Sequence, residues 1–488
     1  MRCFYYKNAL FSVTKTEAIP YYKTQFPDGY QDVHYYLNYC PFGCKIPPDN
    51  RATGCDNDAS IALYYYAYYP TNFVDYNNCS LPALIMFHSG AYSECSSPDQ
   101  DGLDYLCRAM AARGFVVFSV SYRVGVLADQ TVIPTAQQDL GPKDEYVSAQ
   151  QILAIYRACQ DARGAIRSII LANDTATYYK INTGNIFVGG LSAGSLIAMN
   201  SVYYQTESML NAVFPNVSFA LGGTNASING SINPDFYAAP PPAIGDADYF
   251  PNIKGVLNLW GSMFVPKANI NNPAQFFAAD AYKPPIISFA GVQDQVSDIH
   301  NQRIYFSKNN VSQMLQICNA GPTYTQNFGI ETNCLATPSY KTQQNSMGTR
   351  FDQYGIGSET IFHMFDDNNI FAELYLDCEM MHGLDKDDHD CGTCTSSTDP
   401  FKKPGIMSGT CIQCAYQSNF GTLANSQMLT YDYMAGRIAT FFQAIITNNT
   451  NIPVNNKFVE QINNRYGCMG TDNPISFTKN TCDGDTHQ

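Results

Sequence analysis

The chain has 488 residues and a formal net charge of −14, with 45% hydrophobic but only 14% charged side chains. The acidity argues against nucleic acid and anionic membrane surfaces as partners, and no run approaches the roughly 18 apolar residues of a membrane-spanning helix. The length calls for one large domain with insertions or for two domains, under a surface built largely from Asn, Gln, Ser, Thr and Tyr.

Residues 1 to about 80 carry no helical periodicity and read as a β-rich segment joined to the core. The aromatic run Ser60 to Tyr69, ended by Pro70, predicts a strand. From residue 81 to 298 strands and helices alternate. Ala83 to Phe87 predicts a short apolar strand, followed by the small-residue turn His88-Ser89-Gly90-Ala91. Leu103, Leu106 and Met110 give Gly102 to Arg113 helical spacing, which Gly114 stops. Phe115 to Val120 predicts a strand, and Lys143 to about Leu171 a helix with Val147, Ile152, Ile155, Ile166 and Ile170 at its apolar positions.

Asn185 to Gly189 predicts a buried strand, and Ser195 to Met199 opens a helix. Between them stands Gly190-Leu191-Ser192-Ala193-Gly194, a serine with glycine at both ±2. That spacing suits a turn so tight that neighbouring side chains would clash, with the serine hydroxyl pushed into the open. Residues 208 to 245, ending in Pro240-Pro241-Pro242, read as a loop excursion. Val256 to Trp260 and Ile286 to Ala290 predict further apolar strands. The series has the signature of a parallel sheet covered on both faces.

Residues 299 to 370 read as a polar, irregular insertion or lid. Residues 371 to 383 hold a core strand, Ala372 to Leu376, and the loop Met380-Met381-His382-Gly383. Residues 384 to 423 are a cysteine-dense insertion, 424 to 446 a last amphipathic helix, and 447 to 488 a loop-like tail. The 17 cysteines favour disulfides and a secreted or otherwise extracytoplasmic location, with a leader that the chain does not carry. Several N-x-[ST] sequons fit that compartment, with glycosylation open. An odd cysteine count leaves a thiol free or paired with another chain in self-association; Cys159, in a half-apolar helix, is the candidate buried thiol.

A serine nucleophile needs a base, an orienting acid and an oxyanion hole. His382, on a loop after a strand, is the candidate base; His363, in the apolar run Ile361 to Phe365, reads as a core histidine on a strand. Asp294, after the strand ending at Ala290, is the candidate acid, with a turn or helix-cap role as its alternative and Asp298 as fallback. The turn at His88 to Ala91, together with the amide of Ala193, supplies candidate oxyanion donors; an ordinary strand-to-helix loop is the other reading.

In this order the motifs resemble those of the α/β-hydrolase superfamily, in its secreted carboxylesterase and lipase branch with the hormone-sensitive-lipase-like enzymes. The resemblance spans residues 60 to 300 and 371 to 446. It implies a mostly parallel, doubly wound sheet flanked by helices, with lid-like and cysteine-rich insertions. It also implies Ser192 as nucleophile, Asp294 as acid, His382 as base, and Gly90, Ala91 and Ala193 as oxyanion donors. His88 would be a structural member of the turn. The turn departs from the family's His-Gly-Gly-Gly, Ser195 stands where the family has glycine, and the interval from Asp294 to His382 is longer than the family's usual one.

The expected activity is hydrolysis of a carboxylic ester, on a small molecule, a lipid or a polysaccharide, without a cofactor. A peptidase on the same fold, or a binding or assembly protein that keeps the shell, stays open as an alternative. Cys391, Cys394, Cys411 and Cys414 have the spacing of a structural zinc site, but so many cysteines favour disulfides there.

Overall fold

A computed structural model describes residues 9–25, 60–71, 80–90, 92, 98, 101–122, 143–173, 179–204, 209, 212–213, 253–269, 273, 283–291, 294, 297, 299, 301–307, 310–317, 353–377, 382, 425–447 and 457–461. The predicted cysteine-rich insertion, with Cys391, Cys394, Cys411 and Cys414, lies outside the described residues, as does nearly all of the 208 to 245 excursion.

In chain order the elements are β1 (Val13–Lys15), β2 (Ile19–Gln25), β3 (Ser60–Pro70), β4 (Leu81–Phe87), α1 (Asp101–Ala111), β5 (Val116–Val120), α2 (Lys143–Ala172), β6 (Ile181–Leu191) and α3 (Ala193–Tyr203). There follow β7 (Ile253–Leu259), β8 (Met263–Val265), β9 (Ile286–Gly291), β10 (Asn301–Ser307), β11 (Asn310–Ile317), β12 (Gln353–Ile356), α4 (Ser358–Asp367), β13 (Ala372–Asp377), α5 (Asn425–Thr447) and β14 (Lys457–Gln461).

Among the described residues the main sheet runs β1-β3-β5-β4-β6-β7-β9-β13-β14, with β2 also on β3. From β5 to β14 every pairing is parallel, whereas β3 joins β5 antiparallel. Parallel strands need a crossover between them, so helices cover both faces. The fold class is therefore α/β, with a mostly parallel, doubly wound sheet flanked by helices.

The two faces are read directly from alternate residues. Ala83, Ile85 and Phe87 of β4 face a core shared with α2, α3 and α4. Leu84 and Met86 face the opposite core, shared with α1 and α5. Even the tyrosine run of β3 obeys this period: Tyr64, Tyr66 and Tyr68 join the α1 side, while Leu63, Tyr65 and Ala67 join the α2 side. Phe442 of α5 stacks on Phe187 of β6, ring centroids 3.9 Å apart, which ties the last helix to the sheet centre. The cation of Lys15 meets Asp104 of α1 at 2.8 Å and lies over the Tyr66 ring, fixing β1 to the same face.

Three sequence expectations are corrected. The stretch 299–370, read as irregular, contains β10, β11 and β12, which join β8 in a second, antiparallel sheet ordered β11-β10-β12-β8. Its Asn- and Gln-rich strands lack the apolar alternation that announces a strand. His363 sits on helix α4, not on a strand; Ile361 and Phe365 are one turn apart on one face, and Phe362 and Met364 are buried beside them, so the apolar run winds round a largely buried helix. The tail, read as loop-like, contributes β14, which pairs with β13. Cys159 is a buried free thiol, as expected, and Cys107 is a second one; burial pushes the Cys159 thiol up to about 12. No described helix is long and apolar enough to cross a membrane.

Helix α3 is buried over its whole length. Its last carbonyls cannot reach water, and Arg163 of α2, itself fully buried, donates to the carbonyls of Ser201 and Tyr204. Replacement Arg163→Leu keeps the apolar stem but orphans these oxygens. The expected loss is about 3 kcal/mol of unfolding free energy, read from denaturant unfolding, and a variant of parental stability contradicts this account.

Candidate active site

At the end of β6 the chain reverses into α3 within one residue. Ser192 takes φ 52 and ψ −117, a left-handed conformation that costs a non-glycine residue about 1–3 kcal/mol. The flanking glycines permit the reversal. A Cβ on Gly190 would collide with the backbone of Gly194 and Ser195, and one on Gly194 with the carbonyls of Phe87 and His88. The turn is tied to β7 as well. The Ser192 N–H donates to the Leu259 carbonyl at 2.9 Å, and the Ser192 carbonyl accepts the Leu196 N–H at 3.1 Å to start the helix.

Ser195 adds a bond that sequence reading did not foresee. Its hydroxyl packs on the carbonyls of Gly190 and Leu259 and accepts the Leu259 N–H at 2.8 Å. The departure from glycine at this position was the available signal. Strain gathers around the turn: Tyr92, Ser192 and Trp260 all have positive φ, just beyond the carboxyl ends of the adjacent strands β4, β6 and β7.

Asp294 follows β9 and His382 follows β13, so both come from carboxyl ends of parallel strands, where an open α/β sheet leaves its crevice. The structure brings them to Ser192. His382 Nε2 lies 2.7 Å from Ser192 Oγ, and His382 Nδ1 lies 2.8 Å from Asp294 Oδ2. The Asp294 side chain is 0% exposed and that of His382 17% exposed. Asp294 Oδ1 accepts the Ser297 N–H at 2.8 Å, so this aspartate caps its turn with one oxygen and meets His382 with the other. A carboxylate can only accept. Nδ1 therefore carries the proton, and a neutral ring leaves Nε2 to accept from the serine hydroxyl. His363, the rival, instead lies 3.6 Å from Glu359 one turn back on α4. Asp298 lies outside the described residues.

Ala193 is the first residue of α3, so its N–H has no partner within the helix and stands at the positive end of the dipole. Gly90, in the turn after β4, has φ 125, open to glycine alone among ordinary residues; Ala91 lies outside the described residues. Among the described residues no group of three or more His, Cys, Asp or Glu side chains is placed to hold a metal ion.

His88 holds this turn. It is buried, stacks on Tyr122 at 4.0 Å, and its Nδ1–H donates to the Ser89 carbonyl at 2.7 Å. The Tyr122 hydroxyl donates back to the His88 carbonyl at 2.8 Å, and Tyr92 donates to the Ala193 carbonyl at 3.1 Å. With 35 tyrosines in the chain, neither of these two was marked by sequence. Burial lowers the His88 pKa from 6.5 to about 4, the bond to Ser89 opposing it, so the ring is neutral. The unfolded chain takes up this proton first. The contribution is complete above about pH 6.5 and is lost as pH falls toward about 4, about 2 kcal/mol of it between pH 7 and pH 5. Denaturant unfolding of His88→Phe, which keeps a ring against Tyr122, should show a correspondingly flatter pH dependence; an unchanged slope contradicts a neutral buried His88.

No protein-family model matches the chain, and no curated protein matches it. Solved structures similar to it include esterase 2 of Thermogutta terrifontis. The form phosphonylated by cyclosarin is 18% identical with a TM-score of 0.30, covering 50% of this chain and 70% of that one. The propionate-bound form is 17% identical with a TM-score of 0.30, covering 49% and 70%. The apo form is 17% identical with a TM-score of 0.29, covering 50% and 71%. At these values the likeness carries no argument about activity.

Proposed function

We propose that this protein is a serine hydrolase that cleaves carboxylic esters through an acyl-enzyme, in a secreted or otherwise extracytoplasmic setting. The observation that carries the reading is the unbroken Ser192–His382–Asp294 relay, with contacts of 2.7 and 2.8 Å on a strained turn. Ser192 Oγ attacks the ester carbonyl carbon while His382 Nε2 takes the hydroxyl proton. The tetrahedral oxyanion is met by the Ala193 amide at the helix N-terminus, with Gly90 and Ala91 as its further donors. The C–O bond to the alcohol then breaks, and His382 returns the proton to the departing oxygen. Water, deprotonated by His382, attacks the acyl-enzyme, and release of the carboxylic acid restores Ser192.

Asp294 is buried and ionised in this scheme. It keeps the proton on Nδ1 and stabilises the imidazolium that forms each time Nε2 is protonated. The net charge of −14 fits a neutral or apolar ester better than a polyanion. The 17 cysteines support the oxidising compartment.

Ser192→Ala should reduce p-nitrophenyl acetate hydrolysis by at least about 10³-fold with the thermal midpoint retained. A fluorophosphonate should label the parent protein and not the variant. Parental turnover in Ser192→Ala would falsify the assignment. Asp294→Asn offers the ring an amide that also donates, which favours the wrong tautomer; kcat should fall about 10³- to 10⁴-fold. A decrease of less than about tenfold would mean that Asp294 does not orient His382.

A further inference from the structure

The hydrogen bonds around Asn258 reach from the nucleophile turn to the acid loop. Asn258, on β7 and fully buried, accepts the Gly261 N–H on Oδ1 at 2.9 Å. Its Nδ2 donates to Ser358 Oγ at 3.0 Å and to Ser288 Oγ at 3.3 Å. Ser358 Oγ in turn lies 3.4 Å from the Gly261 carbonyl. Gly261 presses on the nucleophile turn so closely that a Cβ there would strike Ser195 and come within 3.2 Å of the Ser192 carbonyl.

Ser358 is also the first residue of α4. The next two amides, of Glu359 and Thr360, donate to the Ile299 carbonyl at 3.0 and 3.4 Å. Ile299 stands two residues beyond Ser297, whose amide holds Asp294 Oδ1. One helix start is therefore bonded on one side to the turn that abuts Ser192 and on the other to the loop that carries Asp294.

We propose that Asn258 and Ser358 are positioning residues, a strut that fixes the nucleophile turn against the acid loop. The proposal rests on the serine hydrolase reading of the site. Neither side chain touches the reacting atoms; they act through Gly261 and Ile299. A relay with two contacts below 3 Å tolerates little displacement, and a misplacement of about 1 Å costs on the order of 100-fold in rate. Both residues are buried, so a truncated member leaves its partner without a compensating water-exposed bond.

The test uses Asn258→Ala, Ser358→Ala and the double variant of the full chain. Each single change should lower kcat for a short p-nitrophenyl ester by about 10- to 100-fold with KM within about twofold. The double variant should be no slower than the slower single one, because both remove the same strut. The downfield proton resonance of the imidazole N–H between His382 and Asp294 should move or broaden in every variant. Folded variants with parental kcat and an unmoved resonance overturn the strut, as do losses that multiply in the double variant. Should Asn258→Ala not fold, Ser358→Ala, which removes a single oxygen, decides by the same measurements. A parent that neither hydrolyses the ester nor reacts with a fluorophosphonate counts against the hydrolase reading alone. The resonance then still decides the strut: moved in the variants, it supports the strut; unmoved, it overturns it.

Discussion

Three backbones meet at van der Waals distance where β6 turns into α3, and the rest of the site follows from that approach. Gly194 lies against the carbonyls of Phe87 and His88, and Gly190 against the start of the helix. No side chain fits between them, so Ser192 must take up the conformational cost at φ 52. What sustains the strain is a set of bonds that converge on the same few atoms. Ser192 and Ser195 both bind Leu259 of β7, and Tyr92 binds the Ala193 carbonyl from the β4 side. The far end of α3 is held by Arg163. A helix anchored at both ends and buried throughout gives the hydroxyl of Ser192 one direction.

The sheet supplies the second constraint. Parallel strands place β6, β9 and β13 with their carboxyl ends on one edge, and each contributes one member of the relay. The sheet is covered on both faces. One holds the aromatic packing of α1 and α5, with Phe442 on Phe187. The other holds α3 and α4, and with them the buried polar bonds of Asn258, Ser288 and Ser358. Buried polar groups fix geometry because each unmade bond is costly, whereas apolar packing tolerates small slips.

Legibility followed periodicity. The strands at 83–87, 115–120, 256–260 and 286–290 and the helices at 102–113 and 424–446 were readable because burial on one or both faces dictates which positions are apolar. The helix at 358–367 was misread because its five central residues, Ile361 to Phe365, are apolar but for His363, and a run of that length has no period. Strands β10 and β11 were missed because Asn, Gln and Ser interrupt their apolar residues without a regular alternation, and β14 because five residues in a polar tail give too little pattern. The network of Asn258 and Ser358 had no signature at all: the two residues are one hundred positions apart and of common type.

By itself the sequence determined the α/β alternation and the tight turn at Ser192, since both are local requirements: burial sets a period, and crowding demands glycine at fixed offsets. It also named Asp294 and His382, because chain order and position after a strand narrow seven histidines to few. Only the tertiary structure decided that these two meet Ser192 at 2.7 and 2.8 Å, that His88 is a neutral wedge under the β4 turn, and that a helix of the 299–370 segment braces the site. Those are relations between residues 60 to 190 positions apart, or of a ring to its surroundings, and chain-local chemistry does not encode a distance in space.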